Sequence, residues 1–449
     1  MVYIDFEFSR HTRNNILRDI DGSKFDVAII GGGITGAGIA NILAENGINT
    51  ILIDQNDFAS GTSSGSSKLI HGGLRYLQQG RILEVYRLLK ERNYLLKNTD
   101  IVKKLNFRIL TGKNMWNPYE IGLGLFLYNI MSGSLHLPHF VKNNGEYKYG
   151  TSGYFNYYDG VTIDSELVIY NIVSAFRHGA VCLNYCKLVS VSKHSGNYSL
   201  EIENVITGKN FNVYSFIVVN AAGPWGNAVS DILGAGTVKN FHLSRGVHIV
   251  FPSELWNDQN AVVVKSAVDG RQLFIIPAGK VVYTGTTDNF VDAPDSFSVP
   301  EADIKYLINS IKPLFPQFTE DKIIYSFAGI RVLIGSGSNP GKITRDFSIG
   351  ESDRIITVLG GKITDHRIAA RKTAKIVGNL MGKKLKIKNM PYIDYSRNKE
   401  NIMDNILRYE CPVKMEDVIR RRIAVSIYDP VQLPAMINRL ADTFGGELI

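Results

Sequence analysis

The chain has 449 residues, 45% hydrophobic and 20% charged, a composition that excludes a disordered or fibrous protein and allows a large buried core. A formal net charge of +8 favours an anionic substrate, a nucleotide or an acidic lipid surface. Nucleic acid is not an expected partner, because no binding module is present and the densest basic block is only 383–388. Three cysteines (Cys182, Cys186, Cys411) form neither a disulfide framework nor a zinc pattern, which points to a reducing compartment. Acidic and basic residues precede any apolar run, so no secretory signal is expected. The apolar stretch 121–131 is far short of the roughly 20 residues that span a bilayer.

After a polar leader ending in a helix-like 13–20, residues 26–54 read DVAIIGGGITGAGIANILAENGINTILID. This is a strand (27–30), a glycine turn, a small-residue helix (34–45) and a second strand closing on Asp54, eighteen residues past Gly36. The pattern is a dinucleotide-binding fingerprint. Gly31 allows the tight turn, Gly33 lets a pyrophosphate approach bare backbone, Gly36 lets helix and strand pack closely, and Asp54 reaches a ribose hydroxyl. The fingerprint alone leaves NAD and FAD open.

A Ser/Gly-rich loop running into LIHGGLRYL follows, then a helix over 81–98 and an aromatic patch over 115–140 expected as short helices and loops. A helix over 165–178 leads into a meander of strands ending in a buried strand at 215–220. A second β-rich block spans 247–287, a helix is expected at 301–314, and strands resume at 322–329 and 354–359. A glycine pair then opens a helix over 364–381, and the tail from 401 is amphipathic and basic. This order predicts an α/β protein: a Rossmann-like nucleotide domain built from discontinuous segments (24–112, 160–235, 340–384), an inserted mixed α+β substrate domain (113–159, 236–339) and a short C-terminal helical tail (385–449).

Several residues can carry chemistry. Ser60, Thr62, Ser63, Ser64 and Lys68 offer hydroxyls, amides and a cation able to wrap a phosphate or polyhydroxyl chain. Gly72 and Gly73 permit close approach to a planar ring, with Arg75 and Tyr76 beside it. Gly360, Gly361 and Lys362 open a helix whose N-terminus stabilises an anion. Arg331 is an anion fork or a structural ion pair, and His248 a core histidine or a base. Asp288 reads as a turn former, and His136 and His139 lack partners for a metal site, so no metal is expected.

These motifs, GGGITGAGIA, DFASGTSSGSSKLIHGGLRYL, NAAGPW, GVHIVFP, GTTD, AGIRVL and LGGKIT, occur in an order that resembles the FAD-dependent glycerol-3-phosphate dehydrogenases of the D-amino-acid-oxidase-like flavoproteins, over roughly 26–381. The resemblance implies FAD as cofactor, held also by Leu69, His71, Leu188, Ala221, Gly223 and Thr364, with the flavin ring near His71, Gly72, Gly73 and the Gly361–Lys362 turn. It implies sn-glycerol 3-phosphate as substrate, bound by Arg75, Tyr76, His248 and Arg331, with His248, Arg331 and Lys362 as catalytic residues. Hydride would pass to the flavin and electrons to a quinone or other acceptor. The location implied is cytoplasmic, or peripheral at the inner face of the cell membrane. A homodimer and a membrane surface are further partners the reading allows, the latter motivated by 120–133 and by Arg420, Arg421 and Arg422. Only 87 residues follow Lys362, so a shortened C-terminal region is expected. Alternatives are a glycerol-3-phosphate oxidase using oxygen, an amino-acid or 2-hydroxy-acid oxidoreductase, and a non-enzymatic flavin-binding protein.

Overall fold

The computed structural model describes residues 7–256, 258–387 and 401–444. Lys388 of the basic block, and the parts of the expected C-terminal region at 388–400 and 445–449, lie outside them.

The Lys24–Ile30 strand is buried over its last four residues, as an apolar run covered on both faces must be. It lies between Thr50–Ile53 and Lys209–Asn220 and runs parallel to both. The first sheet continues to Val181–Leu183 on one side and to Ile355–Leu359 and Ser348–Ser352 on the other, with only the last of these antiparallel. The Cys186–His194 and Asn197–Asn204 hairpin folds back onto Lys209–Asn220. The helix Ile34–Glu45 is buried on nearly every side because it is wedged between helices Asp164–Arg177 and His366–Leu380. That accounts for its uniformly small and apolar sequence.

The second sheet has ten strands in the order Asn289–Val291, Phe241–Pro252, Val281–Gly285, Gln272–Ala278, Ala261–Lys265, Lys103–Gly112, Thr151–Val161 and Leu69–Ile70, with Tyr325–Ile334 and Phe140–Lys142 paired to the side. Glu301–Ile311 packs on one face, burying Leu307 and Ile311, while Ile82–Asn98 and Pro118–Met131 cover the other through Leu88, Leu89, Leu125 and Tyr128.

Three elements differ from the sequence expectation. Residues 103–112 are grouped there with the nucleotide-binding segments, whereas Lys103–Gly112 pairs with Thr151–Val161 and Ala261–Lys265 in the second sheet. The aromatic patch forms one 14-residue helix, Pro118–Met131, rather than short helices: Asn117 caps it, and Gly122 and Gly124 are carried inside it. Arg331 lies within the Tyr325–Ile334 strand, which begins three residues later than expected and runs five residues further.

At the fingerprint, Gly31 has φ +111, and a Cβ on Gly36 would stand 1.9 Å from the Gly31 carbonyl oxygen. Helix and strand therefore meet backbone to backbone. Gly36→Ala must force them apart, with an expected loss of about 1–3 kcal/mol and of bound flavin, read by denaturant unfolding and by absorbance of the purified protein. An unchanged unfolding midpoint with full flavin content would contradict this packing.

Candidate active site

The two sheets enclose a cavity of about 1340 Å³, roomy enough for a dinucleotide and larger than the ~300–1,000 Å³ of common ligand pockets. Gly31, Gly33, Ile34 and Thr35 line one end, where the N-cap residue Gly33 has no side chain to close the helix; Ser63 takes the Ile34 amide, and the other first-turn amides are left for an anion. Asp54 lines the same end and accepts hydrogen bonds from Gly32 N at 2.7 Å and Asn56 N at 2.8 Å. Burial pushes its carboxyl up to about 7 against these two donors. A bare helix start followed by a carboxylate at the neighbouring strand end fits the pyrophosphate and ribose of FAD.

Ser60, Thr62, Ser63 and Ser64 form the next stretch of wall. Their hydroxyls are largely committed to the protein: Ser63 Oγ accepts from Ile34 N at 3.0 Å, and Thr62 Oγ1 donates to the Ile330 carbonyl. The loop is thus built in rather than flexible. Lys68 is turned away from the cavity, its ammonium 2.6 Å from Asp164 and 3.0 Å from the Ser64 carbonyl, in a buried ion pair that fixes the loop's shape. Leu69, His71, Leu188, Ala221, Gly223, Gly361 and Lys362 all line the cavity. Gly72 and Gly73 are required by protein packing instead of by a ring: added Cβ atoms would meet Leu89 at 2.4 Å and Tyr76 at 2.3 Å. Thr364 is buried, and its hydroxyl accepts from His71 N at 3.2 Å.

At the other end stands a group of arginines. Arg331 lines the cavity and donates to Thr286 Oγ1 at 2.8 Å and to Asp288 at 3.2 Å, and Arg345 donates to Asp288 at 2.8 Å. Burial, then the charge of Arg345, lowers Arg331 to about 10, with Asp288 opposing. Arg75 is near enough to feel Arg345 and Asp288, and burial and Arg345 lower its pKa as well. It has no hydrogen bond or ion pair among the described residues; its guanidinium lies 5.9 Å from the Tyr76 ring. Asp288, expected as a turn former, is a buried carboxylate organising two guanidiniums. Arg345 carried no motif, and Asp288, which closes GTTD, was read only as a turn former; the usable signal was glycine inside a strand: a Cβ on Gly246 would lie 2.0 Å from the Arg331 guanidinium, and one on Gly285 2.5 Å from the His248 ring.

His248 lies one hydrogen bond behind the wall. Its Nε2 is 2.9 Å from Ser67 Oγ, which lines the cavity, and its ring stacks on Phe327 at 4.8 Å. Nδ1 is buried without a hydrogen-bond partner among the described residues. Burial, then the charges of Arg331 and Lys68, holds the imidazole well below its ordinary pKa, so it is a neutral base. Lys362 contacts Glu84 at 2.8 Å and Asp346 at 3.3 Å; despite burial, Tyr76, Asp365 and Glu84 raise its pKa and keep it charged.

Arg421 and Arg422 are buried on Asp57 and do not form an exposed basic surface; only Arg420 of the three arginines is exposed. Among the described residues no group of His, Cys, Asp and Glu could hold a metal ion, and no helix is long and apolar enough to cross a membrane.

Burial, reinforced by Lys362, lowers His71 from 6.5 to about 4, and burial lowers His366 from 6.5 to about 3. Both stay neutral in the folded protein where the unfolded chain takes up protons, so stability is full above about pH 6.5 and is lost as pH falls through the folded values. Burial raises the Asp54 carboxyl to about 7, which acts in the opposite sense over the same range, so the histidine contribution is read as a difference: on acidification from pH 7 to 4.5, His71→Gln should lose less melting temperature than the unsubstituted protein. Parallel profiles of the two proteins down to pH 4.5 would exclude this linkage.

The family model of FAD dependent oxidoreductases matches residues 26–375. The chain is 34% identical over 422 residues to the aerobic glycerol-3-phosphate dehydrogenase of Bacillus subtilis (strain 168), covering 86% of this chain and 74% of that one. It is 33% identical over 398 residues to the enzyme of the same name from Staphylococcus aureus (strain USA300), covering 84% and 71%. The structure of glycerol-3-phosphate dehydrogenase from Bacillus halodurans complexed with FAD superposes with a TM-score of 0.77 at 23% identity, over 98% of this chain and 94% of that one. The nucleotide fingerprint, the two-sheet cavity and these similarities together place the chain in the FAD dependent oxidoreductase family, among the glycerol-3-phosphate dehydrogenases.

Proposed function

We propose that this chain oxidises sn-glycerol 3-phosphate at its central carbinol carbon to dihydroxyacetone phosphate, with bound FAD supplying the hydride acceptor. The observation that carries the substrate class is the arginine group: Arg331 and Arg345 line the cavity and share one carboxylate, Asp288, and Arg75, next to the lining residue Tyr76, is close enough to feel Arg345 and Asp288, so the end of the cavity away from the fingerprint has cationic capacity to spare for a phosphate. Arg75 has no competing ion pair among the described residues and serves the phosphate best, with Tyr76 beside it.

Loss of hydride from an alcohol requires removal of its hydroxyl proton. His248 is neutral, and its Nε2 contacts Ser67 Oγ on the cavity wall. The proton therefore moves from the substrate hydroxyl to Ser67 while Ser67 gives its own to His248, an arrangement in which the histidine acts one group removed. Arg331, pinned by Thr286 and Asp288, orients the substrate oxygen. Lys362 places a fixed positive charge by the Gly360–Gly361 turn, where negative charge builds during the reaction.

A quinone at a membrane surface is the proposed electron acceptor. The helix Pro118–Met131 supports this: Tyr119 (87% exposed), Leu123 (64%), Leu127 and Ile130 project from it, with Leu135 and Leu137 exposed just beyond. An apolar row of this kind suits the headgroup layer. The location that follows is peripheral, at the inner face of the cell membrane.

Anaerobic bleaching of the flavin by glycerol 3-phosphate, but not by glycine or 2-hydroxyglutarate, tests the substrate. His248→Ala and Ser67→Ala should each lower kcat by about 10²–10⁴ with little change in KM. Arg75→Ala should chiefly raise KM, and the reverse pattern would overturn these roles. Leu123→Glu with Leu127→Glu should abolish flotation with anionic liposomes and leave soluble quinone-analogue reduction intact. Rapid peroxide formation without any quinone would instead identify oxygen as the acceptor.

A further inference from the structure

The fingerprint and the serine loop account for two walls of the cavity, but its lining also includes Lys414, Glu416, Arg420, Arg421, Ser426 and Ile427, far along the chain. We infer that the segment 413–427 is a third wall of the FAD site, and that Lys414 and Arg420 bind the AMP half of the cofactor.

The segment is fastened beside the fingerprint acid. Asp417–Arg422 is a π-helical turn, and Arg421 and Arg422 both reach Asp57, three residues past Asp54, at 2.7, 2.8 and 2.9 Å. Asp417 Oδ1 accepts from Arg421 and from the Tyr185 hydroxyl, each at 2.7 Å. Tyr185 N in turn donates to the Asn56 carbonyl at 2.9 Å. These buried charges are mutually compensated, so that even where Asp57 and Arg421 reach the cavity lining they fix geometry and leave no spare charge for a ligand.

Lys414 and Arg420 are different. The Lys414 ammonium lies 4.9 Å from the Tyr185 ring and has no carboxylate partner among the described residues. Arg420 has only Glu416, at 3.2 Å, and its side chain is half exposed. Both border the cavity on the side of Asp54, Asn56 and Lys187. A dinucleotide laid with its pyrophosphate at the Gly33 helix start and its ribose at Asp54 brings its AMP half to that side. Ser426 Oγ, buried in the same wall, also lacks a hydrogen-bond partner.

This inference rests on FAD occupying the cavity in that orientation, and the test separates the two. FAD affinity is measured by flavin fluorescence on wild type and on Lys414→Ala with Arg420→Ala, with ADP as competitor. In the double variant FAD and ADP should both bind at least tenfold more weakly, while FMN binding and the melting temperature of the flavin-free protein stay unchanged. Lys414→Arg with Arg420→Lys should restore most of the loss. Unchanged FAD and ADP affinity would overturn the inference, as would a loss seen only with a lowered melting temperature. A wild-type protein that binds no FAD would overturn the cofactor orientation as well.

Discussion

The molecule depends on a bare-backbone contact between the serine loop and its second sheet. Gly65 of the serine loop lies against the Tyr325–Ile334 strand so closely that a Cβ there would stand 2.6 Å from the Ala328 carbonyl oxygen, and one on Gly329 would stand 2.3 Å from the Gly65 oxygen. The Thr62 hydroxyl bonds the Ile330 carbonyl beside it. With side chains at this junction the serine loop would be pushed off the second sheet, and the Gly33 helix start would no longer share a cavity with Arg331. One steric constraint thus joins the fingerprint end of the cavity to its arginine end.

Around that junction, buried charge is handled by pairing. Lys68 with Asp164, Arg92 with Asp159 and Arg422 with Asp57 are each almost fully buried. Such pairs add little net stability, but removing one partner strands a charge in the interior. They hold the serine loop, the HGG segment and the C-terminal turn in fixed positions. Against that background the unpaired guanidinium of Arg75 and the incompletely bonded imidazole of His248 stand out as groups with capacity left for a ligand or a proton.

Much of the cofactor end was legible in the sequence, because local rules govern it: the glycine spacing, the apolar strand and the acid at the next strand end all act within one βαβ unit. The substrate end was less so. Asp288 and Arg345 sit in irregular stretches and gain meaning only when the antiparallel pairing of Phe241–Pro252 with Tyr325–Ile334 sets Ser244 opposite Arg331. The Lys103–Gly112 and Thr151–Val161 strands were hard to place because their partners lie up to about 150 residues away in sequence. The arginines at 421 and 422 looked like surface charge, and burial on Asp57 reverses that reading.

The sequence by itself determined the mononucleotide unit and the alternation of helical and β-rich segments, since each follows from short-range periodicity and glycine geometry; FAD rather than NAD came from the resemblance of its motifs to a flavoprotein family. Only the tertiary structure decided which cations remain unpaired among the described residues, that His248 reaches the cavity through Ser67, and that the C-terminal segment lines the same cavity as the fingerprint. The physical reason is that ionisation and hydrogen-bond capacity depend on what is packed around a group, and those neighbours arrive from distant parts of the chain.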